Sequence, residues 1–381
     1  MAEPLKAMYD LPFLRQFAAR VASAWAPFQE EAFIRLVTAD GWEALELKSR
    51  IRRITQALGA TLPATYPEAL DVLLAIHKQC AGFPYLFFPD FVEVYGLEEQ
   101  HHDRSLDALE RFTVQSSAEF AIRAFLLKAP ERTLARMMEW VLNPNEHVRR
   151  LASEGCRPRL PWAQAITMYK RDPSPIIPLL ELLKRDPALY VRKSVANNLN
   201  DIAKDHPAVV REIAKRWIGR DPATDWIVRH GCRTLIKAAD PDIMALFGYE
   251  EHSADAEGFV EHASLRAMEE EARIGEDSEL RYDVYLRPSS SQELLRLRVE
   301  LGVFYVKSGG KVSEKRFLVT DKKAAPGTSF SGAKKLSWKD LSTRKHYEGM
   351  HRLTLVVNGL AVAETAIMLS HSQSEQRSGV E

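Results

Sequence analysis

Three Val-Arg pairs, each opening an apolar-periodic segment, recur through the middle of the chain: HVRRLASEG at 147, YVRKSVANN at 190 and IVRHGCRTL at 227. Their valines, Val148, Val191 and Val228, are spaced 43 and then 37 residues apart. An Asn-Pro or Asp-Pro turn precedes each pair (Asn143-Pro144, Asp186-Pro187, Asp221-Pro222). That period, with a turn ahead of each helix, is the pattern of HEAT-like helical pairs. One such pair cannot bury its apolar face alone, so the chain is constrained to stack repeats into a solenoid with a concave binding surface. Helical periodicity runs from residue 5 to about 247, as in LELKSRIRRITQAL and PEALDVLLAIHKQC, so helices extend to both sides of the repeats.

Past that point the period changes to two. LLRLRVELGVFYV, residues 294–306, alternates Leu295, Leu297, Val299, Leu301, Val303 and Tyr305 with Arg296, Arg298, Glu300 and Gly302. LTLVVNGLAVAETAIML, residues 353–369, sets Asn358-Gly359 between apolar runs, a signal for a type I′ hairpin. ELRYDVYL and KRFLVTD supply further strands, while SGGK at 308 and KKAAPGTSFSGAKK at 322 read as basic, Gly-rich loops. The expected fold class is therefore mainly α: a HEAT-like α-solenoid followed by a small all-β sandwich. That sandwich is similar to the immunoglobulin fold, without its usual Cys, Trp, Cys spacing.

At 381 residues, with 46% hydrophobic and 27% charged, the chain has the composition of an ordinary soluble protein of two domains. The expected boundaries are residues 1–250 for the solenoid, 251–264 for an acidic linker and 265–381 for the sandwich. No apolar run approaches the roughly 18 residues of a membrane helix, and the start lacks a signal-peptide pattern, so a cytosolic location is expected. Cys80, Cys156 and Cys232 are far apart with no CxxC spacing, which excludes a disulfide framework or a written zinc site. Net charge is zero but segregated: residues 145–237 carry 18 basic and 10 acidic side chains, 238–283 carry 3 and 14, and 284–381 carry 16 and 9. Two basic blocks flanking an acidic connector are the footprint of a polyanion-binding surface.

Helical geometry assigns the faces. Val191, Val195, Leu199 and Ile202 share one side of their helix, leaving Lys193, Asn197, Asp201 and Lys204 on the other. The matching polar faces hold Arg150, Glu154 and Arg157 in the first repeat and His230, Arg233 and Lys237 in the third, so Arg150, Lys193 and His230 would stack into a basic column. Next to the first repeat stands SEGCRPRLPW, where Pro158 is expected to turn Arg157 and Arg159 outward toward phosphates. Trp162 closes this stretch as a stacking aromatic or as loop packing. Bland readings exist for the acids: an i,i+4 pair of Glu154 with Arg150, a Ser116 to Glu119 capping box, and an ion pair of Asp201 with Lys193 or Lys204. His101, His102 and Asp103 lack the further ligands of a metal site, and no P-loop, GxGxxG or GxSxG pattern occurs.

Six strings together, SAEFAIRAF at 117, HVRRLASEGCRPRLPWA at 147, DPSPIIPLLELLKRDP at 172, YVRKSVANNLNDIAKDHP at 190, RHGCRTLIKAADPD at 229 and AEPLK near the start, resemble the bacterial DNA alkylation repair proteins of the AlkC type. The resemblance covers roughly residues 3 to 250, and by arrangement the sandwich matches members with an appended immunoglobulin-like module. It implies a monofunctional DNA glycosylase that removes cationic alkylated bases, chiefly 3-methyladenine and 3-methylcytosine, without metal, nucleotide or redox cofactor, and without flipping the base. Double-stranded DNA containing alkylated bases is the implied partner, with a monomer the simplest state.

The chemistry suits the residues. A base methylated at N3 is already a charged leaving group, and the barrier that remains is oxocarbenium character on the deoxyribose, which a carboxylate beside C1′ stabilises. Glu154, Glu119 and Asp201 are the candidates, with Trp162 against the sugar or bases. Arg150, Arg157, Arg159, Lys193, Asn197, Trp226, His230 and Lys237 are the expected DNA contacts of the solenoid, and Lys307 and Lys311 those of the sandwich. The alternative is a non-catalytic HEAT-like binder of DNA structure or of a protein partner, which has no reason to hold Glu119 and Glu154 on a phosphate-facing surface.

Overall fold

The computed structural model describes residues 4–249, 258–291, 293–341 and 344–371. The chain divides into two compact units, Met1–Cys232 and Arg233–Glu381. None of the described helices is long and apolar enough to cross a membrane.

The first unit is helical, and its second half contains three successive helix pairs: Pro130–Trp140 with Glu146–Gly155, Ile177–Leu183 with Leu189–Ile202, and Pro207–Trp217 with Pro222–Gly231. The second helices of the pairs pack side by side with Leu189–Ile202 in the middle. Val148, Val191 and Val228 are all buried there, which is why the valine recurs. The arginine after it has a separate task. Arg149 donates to the carbonyls of Asn143 and Pro144, both at 2.9 Å, and Arg192 donates to those of Asp186 and Pro187 at 2.7 and 2.8 Å. Each arginine thus folds back to satisfy the turn that starts its own helix. Arg149 also reaches the next repeat's turn, with its Nε 2.6 Å from Asp186.

The middle helix, covered on both sides, buries polar residues as well: Ser194, Asn198, Asn200 and Asp201. Two of them have partners across the seam, Ser153 Oγ donating to Ser194 Oγ at 2.6 Å and Asn198 Nδ2 donating to the Ser153 carbonyl at 2.9 Å. The three cysteines are buried and unbridged.

In the second unit, two short helices, Arg233–Lys237 and Pro241–Leu246, precede eight strands: β1 (Val260–Ala267), β2 (Glu271–Arg273), β3 (Asp277–Leu286), β4 (Leu295–Val306), β5 (Val312–Ala324), β6 (Ser329–Ser337), β7 (Gly349–Val357) and β8 (Leu360–Ser370). They form a three-stranded sheet, β1-β3-β6, and a five-stranded sheet, β2-β8-β7-β4-β5. Leu280, Val284 and Leu286 from the first sheet share a core with Leu297, Val299, Leu353 and Ile367 from the second, and Trp338 is fully buried in it. The hairpin expected at Asn358-Gly359 is present, both residues having positive φ (47° and 92°) and Val357 pairing with Leu360.

Several sequence expectations differ from this arrangement. Residues 233–249, expected to end the solenoid, pack on the sandwich: Tyr249 Oη donates to Asp321 at 2.6 Å and Arg296 to the Phe247 carbonyl at 3.1 Å. They cover the face of β4 opposite its apolar one, so Glu300 is buried where strict alternation made it exposed. β1 begins at Val260, inside the stretch expected as linker, and the acidic run continues along β1, β2 and β3 as exposed side chains such as Glu261, Glu270 and Glu271. Residues 251–257 of the expected linker lie outside the described residues. Most of KKAAPGTSFSGAKK is strand rather than loop: β5 and β6 claim both ends, and only residues 325–328 turn.

Candidate active site

Glu154 stands in the last turn of the helix Glu146–Gly155, which starts where the Asn145 side chain accepts the His147 N–H at 2.8 Å. Gly155 is its last residue, and a Cβ there would lie 2.5 Å from Cγ2 of Ile122, so glycine permits the close approach to the helix Ile122–Lys128. The chain then loops through Pro158, whose carbonyl accepts the Ile166 N–H at 3.1 Å. At the outer edge of this loop Trp162 is 64% exposed with φ +64°. A left-handed backbone at a bulky residue costs about 1–2 kcal/mol. Lys48 donates to the Trp162 carbonyl, and its ammonium sits 4.6 Å from the centre of the Phe120 ring. Glu119 lies in the turn before Ile122, held by the Ser117 hydroxyl at 3.0 Å. Because the helix starts only at Ile122, Glu119 closes no capping box.

Acids and bases alternate along one ladder. Arg150 Nη1 is 2.6 Å from Glu119 Oε2 and its Nη2 is 3.5 Å from Glu154 Oε1. Arg157 Nη1 is 2.6 Å from that same Glu154 oxygen, and its Nε is 2.9 Å from Asp201 Oδ2. Lys204 closes the series 3.1 Å from Asp201 Oδ1. Three carboxylates balanced by three cations satisfy the burial requirement that an isolated acid could not meet. They also offset the unfavourable placement of Glu154 at a helix C-terminus. The face of Arg150 away from the acids lies 4.6 Å from the Tyr190 ring centre.

The outer part of the ladder, from Glu119 to Arg157, forms one wall of a cleft of about 570 Å³, lined by Glu119, Arg150, Glu154, Arg157, Trp162 and Tyr190 among others. A site of this composition offers carboxylate oxygens at one edge, an exposed indole at another, and guanidinium groups already committed to the acids.

Residues 261–371 match the family model described as "Uncharacterised protein YhaZ, C-terminal Ig-like domain". The whole chain is 42% identical over 355 residues to the Bacillus subtilis (strain 168) protein named "Uncharacterized protein YhaZ", covering 93% of this chain and 96% of that one. Among solved structures it is similar to the Pseudomonas fluorescens alkylpurine DNA glycosylase AlkC bound to DNA containing an abasic site analog, with 36% identity, a TM-score of 0.88, and coverage of 97% of this chain and 100% of that one. The chain belongs to the AlkC family of DNA glycosylases.

In this AlkC-family chain the candidate residues separate into groups. Glu119, Glu154 and Trp162 come together around the cleft, with Arg150 and Arg157 between the acids. Asp201 does not line it; it is 2% exposed behind Arg157, whose guanidinium it orients. The outward placement expected for Arg157 is corrected: the residue is 6% exposed and spans Glu154 and Asp201. Pro158 fixes its own φ but not where the preceding side chain finds its partner. Arg159 is the more exposed of the two and pairs with Asp205 at 2.6 Å.

The remaining candidates do not line the cleft. Lys193 is exposed, Asn197 is half-buried, and the Trp226 and His230 rings stack on each other with centres 5.1 Å apart. The column of Arg150, Lys193 and His230 is therefore not one basic stripe, since Arg150 is committed to Glu119. Lys237 belongs to the second unit, where its carbonyl accepts from Arg316. Lys307 and Lys311 flank the turn between β4 and β5, closed by the Lys307 N–H to Lys311 carbonyl bond of 2.7 Å. Sequence reasoning missed Tyr190, Lys48 and Arg123. For Arg123 a signal existed, a single cation inside the apolar run FAIRAF.

Proposed function

We propose that this chain hydrolyses the N-glycosidic bond of cationic alkylated bases, 3-methyladenine and 3-methylcytosine, in duplex DNA. The observation that carries this reading is the pair Glu119 and Glu154 at one cleft with Trp162, each acid fixed by Arg150. The cationic base leaves as a neutral molecule, so no general acid is required. Positive charge develops instead on the deoxyribose, and Glu154 with Glu119 stabilises it and orients the attacking water, the role assigned to carboxylates in glycosidic cleavage. Arg150 and Arg157 hold the acids rather than the phosphates. A fixed array of this kind needs no reorganisation as the transition state forms. Trp162 presses on sugar or bases next to the lesion, a contact that tolerates any sequence. Because the acids serve the sugar directly, the base can remain in the duplex during cleavage.

Phosphate contacts in this reading come from the exposed cations Arg159 and Lys193 in the helical unit and Lys307 and Lys311 in the sandwich. The reaction consumes water alone, and the enzyme acts as a monomer on duplex DNA. Release of free methylated base from alkylated duplex DNA tests the proposal directly. Glu154→Gln keeps the shape of the side chain and is expected to cut single-turnover release by about 10²-fold or more, with DNA affinity nearly unchanged. Release at the parent rate by this variant would remove Glu154 from the chemistry, and no release by the parent would leave a DNA binder without catalysis.

A further inference from the structure

The loop that joins Glu154 to Trp162 is held from behind by one side chain. Arg123, on the helix Ile122–Lys128, is 3% exposed. Its Nη1 donates to the carbonyls of Gly155 and Arg157, at 3.0 and 2.7 Å, and its Nε and Nη2 both donate to the carbonyl of Gln164, at 2.9 and 2.6 Å. Four hydrogen bonds thus go to three backbone oxygens, one directly after Glu154, one at Arg157 and one two residues beyond Trp162. No carboxylate receives any of them. Burial draws this guanidinium down to about 10, and the nearby Asp201 and Glu154 carboxylates only partly offset that desolvation. A buried charge placed this way is a costly means of packing a loop, since an apolar side chain would fill the space with less desolvation. What the guanidinium adds is fixed geometry: a rigid planar fork sets the separation of the carbonyls it binds.

We propose that Arg123 is a positioning residue for base excision, a bracket that fixes the distance between Glu154 and Trp162 by holding the backbone beside each. The inference rests on the glycosylase reading above. Arg123 touches no substrate; it acts through the loop. Preorganisation of this kind is worth much in rate, because a misplacement of about 1 Å can cost about 10²-fold. It contributes little to DNA affinity, since the loop's contacts with DNA can form while the acid and the indole are displaced.

A second feature makes the idea testable beyond simple loss. Arg123 also lines an open cavity of about 470 Å³, together with Lys48, Asp90, Glu93, Trp162 and Gln164. Truncation of its side chain leaves a hole continuous with that cavity, which added guanidinium ion can enter. Arg123→Ala is expected to lower the single-turnover rate at saturating DNA by about 10²-fold while its half-saturating DNA concentration stays near the parent's. Millimolar guanidinium should then restore much of the rate, against an equal concentration of sodium chloride and against the parent enzyme as controls. Arg123→Lys retains the charge and the stem, but one ammonium cannot span all three carbonyls. It should bind DNA like the parent and excise more slowly, and it decides the matter if the alanine variant does not fold. A folded variant that excises at the parent rate overturns the proposal. So does a joint fall of rate and affinity that guanidinium leaves unchanged, which would reduce Arg123 to holding the fold. Failure of the parent to release any base is a distinct result, and it would overturn the glycosylase reading itself.

Discussion

Trp162 combines two costs that a loop residue normally avoids, an exposed indole and a left-handed backbone. Glycine adopts that backbone without strain, whereas alanine retains the Cβ clash. Trp162→Gly is therefore expected to be more stable than Trp162→Ala by about 1 kcal/mol in urea denaturation, although both lose the aromatic surface and should excise slowly. Equal stability would show that the positive φ at this position carries no strain. The comparison also indicates how far single residues were legible in the sequence. SEGCRPRLPW marked Glu154 and Trp162, a carboxylate at a helix C-terminus and a tryptophan directly after a proline, and the structure brings both to one cleft. Arg157 was misread since its partner Asp201 is 44 residues away. Local rules about Pro158 say nothing of a contact made across two repeats. Arg123 stood out only as a lone cation in the apolar run FAIRAF; its partners could not be read, because its four bonds end on carbonyls, which every sequence has.

The repeat motif belongs to a larger scale, where Val-Arg and Asp-Pro turned out to be one device. The valine packs between helices, while the arginine and the aspartate close the turn, and period and turn residues together marked the three repeats. They did not predict that the device also links neighbours through Arg149 and Asp186, nor that the middle helix would bury Asp201. Two aspartates at equivalent turns thus carry different loads. Asp221 only caps its helix, accepting the N–H groups of Ala223 and Thr224 at 2.9 and 3.2 Å. Asp186 accepts the Ala188 N–H at 2.8 Å and in addition holds Arg149 at 2.6 and 3.0 Å with its side chain 2% exposed. Asp221→Ala should cost about 1 kcal/mol, whereas Asp186→Ala, which removes the cap and also the carboxylate partner of Arg149, should cost about 2 kcal/mol or more. Denaturant midpoints of the two variants measure the difference; equal losses would mean that the Arg149 link contributes nothing beyond the cap. The strands followed the same logic. Period two located β4 and the Asn358-Gly359 hairpin, but alternation could not reveal that residues 233–249 cover the outer face of β4, because that packing depends on a segment with helical periodicity.

At the scale of the whole chain, the two units should respond to acid differently. In the sandwich, His351 is fully buried and His346 is 5% exposed. Burial lowers both below the ordinary histidine value; Arg344 opposes charge on His346, and the Asp340 carboxylate only partly compensates. Tyr305 and Trp338 pack against both imidazoles, while the His351 Nε2 is 3.0 Å from the Tyr347 carbonyl. A group whose value is depressed on folding binds its proton more readily in the unfolded chain, so its contribution is complete above about pH 6.5 and is lost as pH falls toward the folded value. The helical unit contains the opposite case. Burial raises Asp90 and Glu93 despite Arg52 at 2.9 and 3.0 Å. Carboxylates raised on folding take up protons in the native state first, which favours that state as pH falls toward their folded values. Hydrogen exchange followed by mass spectrometry, corrected for intrinsic rates, separates the units. Between about pH 7 and about pH 5.5, peptides from β4 and β7 should lose protection, while those spanning residues 47–61 and 87–95 should hold theirs or gain. Unchanged protection of β4 and β7 across this range would show that the sandwich accommodates charged histidines at no cost, and that their burial imposes no penalty on protonation.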